Sequence, residues 1–139
     1  MKNKWFFGLC VLFVFGLVFA ACDDGNGNSG SDPFNGTWIG TISGKTIKVV
    51  AKNGSFNEYH DDVEGTRGTY TFSGKTVTVK IIEMNPGVVF ASLGGTDAWF
   101  TYANLDEEYK EYMGSDTSKI TISGNKFKNP TGGFTMTKQ

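Results

Sequence analysis

Residues 71–79 read Thr-Phe-Ser-Gly-Lys-Thr-Val-Thr-Val, and this stretch decides the fold class. Apolar side chains alternate with Thr or Lys on both sides of a Ser-Gly pair, as in two half-buried antiparallel strands joined by a tight corner. The same scheme occurs at 41–47 and 121–127. Because Gly supplies the positive φ that such corners need, we interpret the echo as one hairpin chemistry used three times.

The alternation extends from Phe34 to the C terminus and predicts an all-β domain. Counting one inward-facing residue per strand gives about eight strands, the number at which a closed barrel encloses packed side chains or one small ligand. We therefore expect an antiparallel meander barrel of about eight strands with one short helix, and a β-sandwich as the alternative. The inward-facing residues are Trp38, Ile47, Phe56, Tyr70, Val77, Ile120, Phe127 and Phe134.

The alternating pattern lapses over residues 82–119. Within this region we expect a short strand over 97–102 and a helix over 104–113. Asn104 and Glu107 have the spacing of a capping box at the start of that helix. Its buried stripe would consist of Leu105, Tyr109 and Tyr112.

The N-terminal residues have the pattern of an export signal. Lys2 and Lys4 precede a run of apolar residues and Gly from Trp5 to Phe19. The run is shorter than the roughly 20 residues that a membrane-spanning helix needs. We therefore interpret residues 1–21 as a signal peptide.

Ala20-Ala21-Cys22 follows this run and resembles the lipobox of bacterial lipoproteins, with Phe19 where Leu is usual. The resemblance implies cleavage before Cys22 and a diacylglycerol and an acyl chain on that residue. Each buried CH₂ contributes about 0.8 kcal/mol, so two or three chains hold a protein at a membrane. Cys10 leaves with the signal peptide, so Cys22 remains as the only thiol. The alternative is an ordinary secretory signal cut after Ala20.

Residues 22–33 contain no apolar side chain other than Cys22 and Pro33, and Gly, Asn, Ser and Asp predominate. Such a segment cannot bury enough surface to offset its ordering entropy. We expect a flexible tether over 22–33 and a single domain over 34–139. The protein would lie in the cell envelope, anchored by lipid at the periplasmic face or the cell surface.

Gly36-Thr37-Trp38 at the start of the first strand, followed by hairpins with Gly corners, is similar to the lipocalin or calycin group. The likeness extends to small bacterial lipocalin-like lipoproteins of uncharacterised function and covers residues 34–139. In that group the Trp closes one end of the barrel and is covered by an Arg near the last strand. Here the only arginine is Arg67, and Lys138 is the sole basic residue of the final strand.

The chain lacks the patterns typical of catalysis. The only histidine, His60, alternates with Glu58 and Asp62, but ligands within one strand seldom converge on an ion because alternate Cβ atoms lie about 7 Å apart. We interpret these three residues as a solvated outer face. No serine has the Gly-x-Ser-x-Gly context of a hydrolase nucleophile. We expect no enzymatic activity, no metal, and no cofactor besides the lipid on Cys22.

The net charge and the aromatic residues indicate which classes of partner or ligand to expect. The formal net charge is −1 and the lysines are scattered, a distribution that disfavours nucleic acid as a partner. We expect a monomeric, non-enzymatic binding module for a small apolar or amphipathic ligand, with Tyr70, Trp99 and Tyr102 as candidate ligand-binding residues. The alternative is a protein-interaction or hydrolase-inhibitor module of the envelope that uses residues 86–95 and 61–65. The expected core aromatics are Trp38, Phe72, Phe127 and Phe134.

The lipid anchor is testable by labelling cells with a radioactive fatty acid. The chain should give a labelled band that disappears in Cys22→Ser, because the resemblance implies lipid on that sulfur. Cys10→Ser is the matched control and should still label, since Cys10 lies within the signal peptide. Labelling that persists in Cys22→Ser would disprove the anchor.

Overall fold

The computed structural model of the chain describes residues 31–130 and 133–139. The predicted signal peptide, Cys22 and most of the predicted tether lie outside the described residues. The strands are β1 Gly36–Ile42, β2 Lys45–Lys52, β3 Ser55–His60, β4 Val63–Ser73, β5 Thr76–Met84, β6 Phe100–Thr101, β7 Thr117–Thr121, β8 Lys126–Lys128 and β9 Thr135–Lys138. The helices are α1 Pro86–Val89 and α2 Glu107–Met113, with short 3₁₀ segments at Ala91–Leu93 and Tyr102–Asn104.

The described strands form one antiparallel sheet, which confirms the all-β prediction. Strands β1 to β5 form a meander, and the sheet order is β6-β5-β4-β3-β2-β1-β9-β8, with β7 also paired to β5. The expected closed barrel is wrong, because the sheet does not close. Strands β7 and β8 follow each other in the chain, but among the described residues only the bridge between Ser123 and Lys126 connects them.

The three similar sequence segments form their corners differently. Ile42 pairs with Lys45, and both Ser43 and Gly44 have positive φ, as a type I′ corner requires. In the second segment Ser73 pairs with Thr76, so the corner has moved one residue along the sequence. The third segment has the same corner register as the second, because Ser123 is bridged to Lys126. The prediction of one hairpin used three times is therefore wrong in register, since cross-strand packing fixes which residues pair.

The sheet curls so that its strands share one interior. Ile120 on β7 and Phe127 on β8 belong to the same buried cluster as Ile47 on β2 and Phe72 on β4. The predicted core aromatics Trp38, Phe72 and Phe127 are buried, and Phe134 is half-buried against them. The inward-facing residues predicted from alternation therefore meet around a common interior, as a strongly curved sheet requires.

Trp38 closes one end of this interior and is fully buried. Its Nε1 donates a hydrogen bond of 2.7 Å to the carbonyl oxygen of Phe34, and its ring packs 5.0 Å from that of Phe127. The Nζ of Lys138 lies 5.4 Å from the centroid of the Trp38 ring. A lysine of the last strand therefore supplies the cation over this tryptophan, while Arg67 lies elsewhere.

The predicted strand over 97–102 is confirmed only as β6, which has two residues. The predicted helix is shorter than expected. Helix α2 begins after Asp106, and the capping box expected from Asn104 is absent because Asn104 lies in the preceding 3₁₀ segment. Leu105 is buried and Tyr109 half-buried, but Tyr112 is 59% exposed, so the predicted stripe is wrong at that position.

A smaller apolar cluster forms beneath the two helices. Met84, Phe90 and Leu105 are its buried members, and the ring of Phe90 stacks on that of Tyr109 at 4.9 Å. Met113 packs against this cluster at the end of α2, and the exposed ring of Tyr112 lies 6.1 Å from that of Phe90. The residues between β5 and β7 thus form a cap that has its own small core.

Asp32, at the end of the predicted tether, is hydrogen-bonded to the domain. Its Oδ1 accepts from the amide of Phe34 at 2.9 Å, and its Oδ2 accepts from the hydroxyl of Tyr70. Burial, and then the bond to Asp32, raise the pKa of Tyr70 well above its ordinary value. The neutral phenol is therefore favoured in the folded protein.

This shift predicts an alkaline dependence of stability. The pKa of Tyr70 is raised on folding, so its contribution is fully present below the unfolded value of about 10 and is lost as the pH rises above it. Above pH 10 the unfolding free energy should fall more steeply for the wild type than for Tyr70→Phe, by up to about 1.4 kcal/mol per pH unit. Urea unfolding from pH 8 to 11 measures this, with Tyr112→Phe as the control for loss of an exposed hydroxyl. Equal slopes for the wild type and Tyr70→Phe would contradict the prediction.

Candidate functional site

The interior of the curled sheet contains a cavity of about 520 Å³. At one end it is bounded by three buried aromatic side chains that we call the floor, namely Phe34, Phe56 and Phe127. The rings of Phe56 and Phe127 both pack edge-on to Phe34, with centroids 6.4 and 5.6 Å away. The floor is therefore closed by aromatic packing.

Phe56 can occupy the floor because a glycine faces it across the strand pair. Its register partner on β4 is Gly68, and a Cβ placed there would lie only 2.4 Å from the ring of Phe56. The same Cβ would lie 2.2 Å from the carbonyl oxygen of Lys80 on β5. Beside it, the β4–β5 register shifts between Arg67 and Gly68, as at a β-bulge. Gly68 thus allows the ring to lie flat against the sheet.

The cavity opens at the opposite end of the sheet. Several residues that line it there are exposed, and they lie in the corner between β1 and β2, in the helical segments and in the loops next to β7 and β8. Lys45 and Asp116, both half-buried, bring one charge of each sign to this opening. We call the opening the mouth, and its exposed residues are Ser43, Ser92, Tyr112, Ser115 and Pro130.

Most of the remaining lining is apolar, but one side carries polar groups that we call the polar wall, formed by Glu58, His60 and Thr66. The Nε2 of His60 lies 2.9 Å from Oε1 of Glu58, and the two side chains are 13% and 19% exposed. Each ring nitrogen of histidine can donate or accept, whereas an ionised carboxylate only accepts, so the imidazole is the donor to an ionised Glu58. The pair is therefore a largely buried, hydrogen-bonded unit that faces the cavity.

Thr66 completes the polar wall. It lies directly opposite Glu58 in the β3–β4 register, which brings the two side chains next to each other on the inner face. Thr66 is 2% exposed, and its Oγ1 has no hydrogen-bond partner among the described residues. A buried hydroxyl without a partner costs roughly 1–3 kcal/mol, so this atom lowers the stability of the folded protein.

The predicted solvated outer face is thus wrong for Glu58 and His60. Phe56 is predicted to face inward, and the period of two along β3 places residues 58 and 60 on the same face. The alternation therefore indicates an inward face for both, although their side chains are polar. Asp62 alone is at the surface, where its Oδ1 lies 2.8 Å from Nζ of Lys48.

The three predicted ligand-binding residues occupy other environments, and none is among the described residues that line the cavity. Tyr70 is buried beside the floor, its ring edge-on to Phe34 at 4.9 Å. Tyr102 packs against the cluster beneath the helices. Trp99 lies under the guanidinium of Arg67, whose Cζ is 4.0 Å from the ring centroid. The structure does not bring these side chains together around one space.

Arg67 also pairs with two carboxylates. Its Nη2 lies 2.9 Å from Glu64 and its Nη1 lies 3.4 Å from Glu83. The hydrogen bond from Arg67 holds the pKa of Glu64 below its ordinary value. Because the guanidinium is exposed, we interpret this cluster as a surface network of small energetic weight.

The two segments proposed for protein interaction pack against each other. The amide of Asn85 donates a 2.8 Å bond to the carbonyl oxygen of Gly65, and a Cβ at Gly65 would lie 2.9 Å from Cγ1 of Val88. Phe90 is buried, and Val88 and Val89 are half-buried. A filled interior with an exposed apolar loop such as Val88-Val89-Phe90 would favour the interaction module. These three residues are buried or half-buried and the interior contains a cavity, although Val63 and Leu93 leave one exposed apolar side chain in each segment.

Within residues 31–130 and 133–139, no group of three or more His, Cys, Asp or Glu side chains is arranged to hold a metal ion. No helix in these same ranges is both long enough and apolar enough to cross a bilayer.

The fold and the cavity define the class of protein: an all-β chain whose single curled sheet surrounds an apolar cavity with a polar wall. No protein-family model, no curated protein and no solved structure matches the chain. The similarities to lipoproteins and to the lipocalin group therefore stay predictions.

The unpaired hydroxyl of Thr66 yields a stability prediction. Thr66→Val replaces it by a methyl group of similar size and should raise the unfolding free energy by roughly 1 kcal/mol. The control is Thr71→Val, at an exposed position of the same strand, which should change it by less than about 0.5 kcal/mol. Urea unfolding measures the change in free energy for both variants. A clear loss of stability in Thr66→Val would show that the hydroxyl is satisfied in the folded protein.

Proposed function

We propose that this protein is a membrane-anchored, extracytoplasmic lipoprotein whose β domain binds a small apolar or amphipathic ligand without catalysing a reaction. The observation that carries the proposal is the cavity of about 520 Å³, with its aromatic floor and open mouth. Small-molecule pockets occupy roughly 300–1,000 Å³ and combine apolar lining with a few polar groups. This cavity has both properties.

Its size sets the scale of the ligand. At about 30 Å³ per water, the cavity has the volume of roughly 17 waters, far beyond what a packing defect leaves. A ligand of about 12 non-hydrogen atoms would fit. At roughly 0.5 kcal/mol per atom it would bind with a free energy of about −6 kcal/mol, which corresponds to a Kd of tens of micromolar.

The direction in which the chain enters the domain is compatible with an anchor at Cys22. Asp32 and Phe34 lie at the floor, so the segment from the proposed anchor reaches the domain at the end opposite the mouth. Residues 23–31 could extend over about 30 Å at roughly 3.4 Å per residue. The mouth would then be accessible to ligands while the protein remains attached to the membrane.

The proposal is tested with N-phenyl-1-naphthylamine, a neutral probe that fluoresces in apolar surroundings. Residues 23–139 contain every described contact and need no detergent, so this fragment should bind the probe with a Kd in the micromolar range. Val79→Phe places a larger side chain at a position lining the cavity and should weaken binding at least about tenfold. Ile82→Phe, at an exposed position of the same strand, is the matched control and should bind like the wild type.

Native mass spectrometry of protein purified from cells gives an independent readout, as a bound small molecule adds a discrete mass. Absence of probe binding together with absence of any co-purified small molecule would refute the binding function. Equal probe affinity in Val79→Phe and Ile82→Phe would place the probe outside the cavity.

A further inference from the structure

We infer that the cavity selects an amphipathic ligand whose head group donates hydrogen bonds, a hydroxyl or an amine on an apolar chain or ring, and that it rejects fatty carboxylates. This inference rests on the proposed binding function and adds the chemical class of the ligand. It is carried by the polar wall and by its position between the floor and the mouth.

The first step concerns charge. Glu58 lines the cavity as a carboxylate whose single bond among the described residues is to His60. A carboxylate has about four acceptor sites, so Glu58 can accept further bonds from a ligand. A second carboxylate beside it would meet like-charge repulsion strengthened by the apolar surroundings. The polar wall therefore favours donors and disfavours anions.

The second step concerns the free oxygen of Glu58. Its Oε1 lies 2.9 Å from Nε2 of His60, and its Oε2 has no bond in the described part of the chain. A ligand hydroxyl or amine can therefore donate to Oε2. Thr66 lies beside Glu58, but its Oγ1 is itself fully buried, so a ligand in the cavity does not reach it. A hydrocarbon without a head group would leave Oε2 of Glu58 without a donor.

The third step concerns depth. Along β3, Glu58 is two residues from Phe56 on the floor, a separation of about 7 Å at roughly 3.3 Å per residue. The groups that would bind the head are therefore inside the cavity. Apolar lining lies beside them, with Ile47 opposite His60 in the β2–β3 register and Met84 opposite Thr66 in the β4–β5 register. A ligand with a short apolar body and one donating group matches this distribution.

The experiment compares three competitors of equal chain length: 1-octanol, octylamine and octanoate. Each displaces N-phenyl-1-naphthylamine from residues 23–139 at pH 7.4. Octanol and octylamine should displace the probe at concentrations at least about tenfold lower than octanoate. This ratio is measured on the wild type, so it stands even if a variant fails to fold.

Two variants assign the preference to the polar wall. Glu58→Gln removes the negative charge, so octylamine and octanoate should then displace the probe at nearly equal concentrations. Glu108→Gln changes an exposed position of α2 and should leave the ratio of these two concentrations as in the wild type.

The possible failures are distinguishable. If the wild type neither binds the probe nor carries a co-purified small molecule, the binding function fails and this inference fails with it. If the probe binds but octanoate competes as well as octanol and octylamine, the inference is overturned and the binding function stands. An octanoate preference that is lost in Lys45→Met would also overturn it, because the head group would then lie at the mouth.

Discussion

The packing of Phe34 against aromatic side chains from separate parts of the sheet is the contact on which the rest of the structure depends. Phe34 precedes β1, yet its ring contacts Phe56 on β3, Tyr70 on β4 and Phe127 on β8. Strands β3 and β8 are separated by three others in the sheet order. One side chain therefore holds distant strands around a common interior. Because aromatic rings fill this end, the unfilled volume lies at the other.

Under the proposed binding function, the polar wall is a compromise between stability and binding. Burying Glu58 and His60 carries a desolvation cost, which their mutual hydrogen bond offsets only in part. Apolar residues at these positions and at Thr66 would give a better packed interior. Local choices that oppose stability are expected at functional sites, where the chain retains groups that a ligand uses. The buried polar wall opposes stability in this way, whereas the exposed cluster around Arg67 and Trp99 does not.

The three predicted ligand-binding residues lie outside the cavity for a definable reason. Tyr70, Trp99 and Tyr102 combine an aromatic ring with a polar edge, a property shared by core, surface and pocket residues. Glu58 and His60 were set aside because charged side chains usually face solvent. Both residues are at period-two spacing from the inward-facing Phe56, which places their side chains inward as well. The periodicity was therefore a better guide to the face of the strand than the residue type. Thr66 had the same signal, because the alternation of Phe72 and Tyr70 continues back along β4 through Gly68 to Thr66.

The sequence by itself determined the all-β class, the identity of most strands and the inward face of each, because side-chain alternation with a period of two is a local property. It also determined where corners occur, since Gly and Asn tolerate positive φ. Only the tertiary structure decided the corner registers, the open sheet and the cavity. These depend on contacts between residues far apart in the chain, such as Phe34 with Phe127, and on how much of the interior their side chains fill.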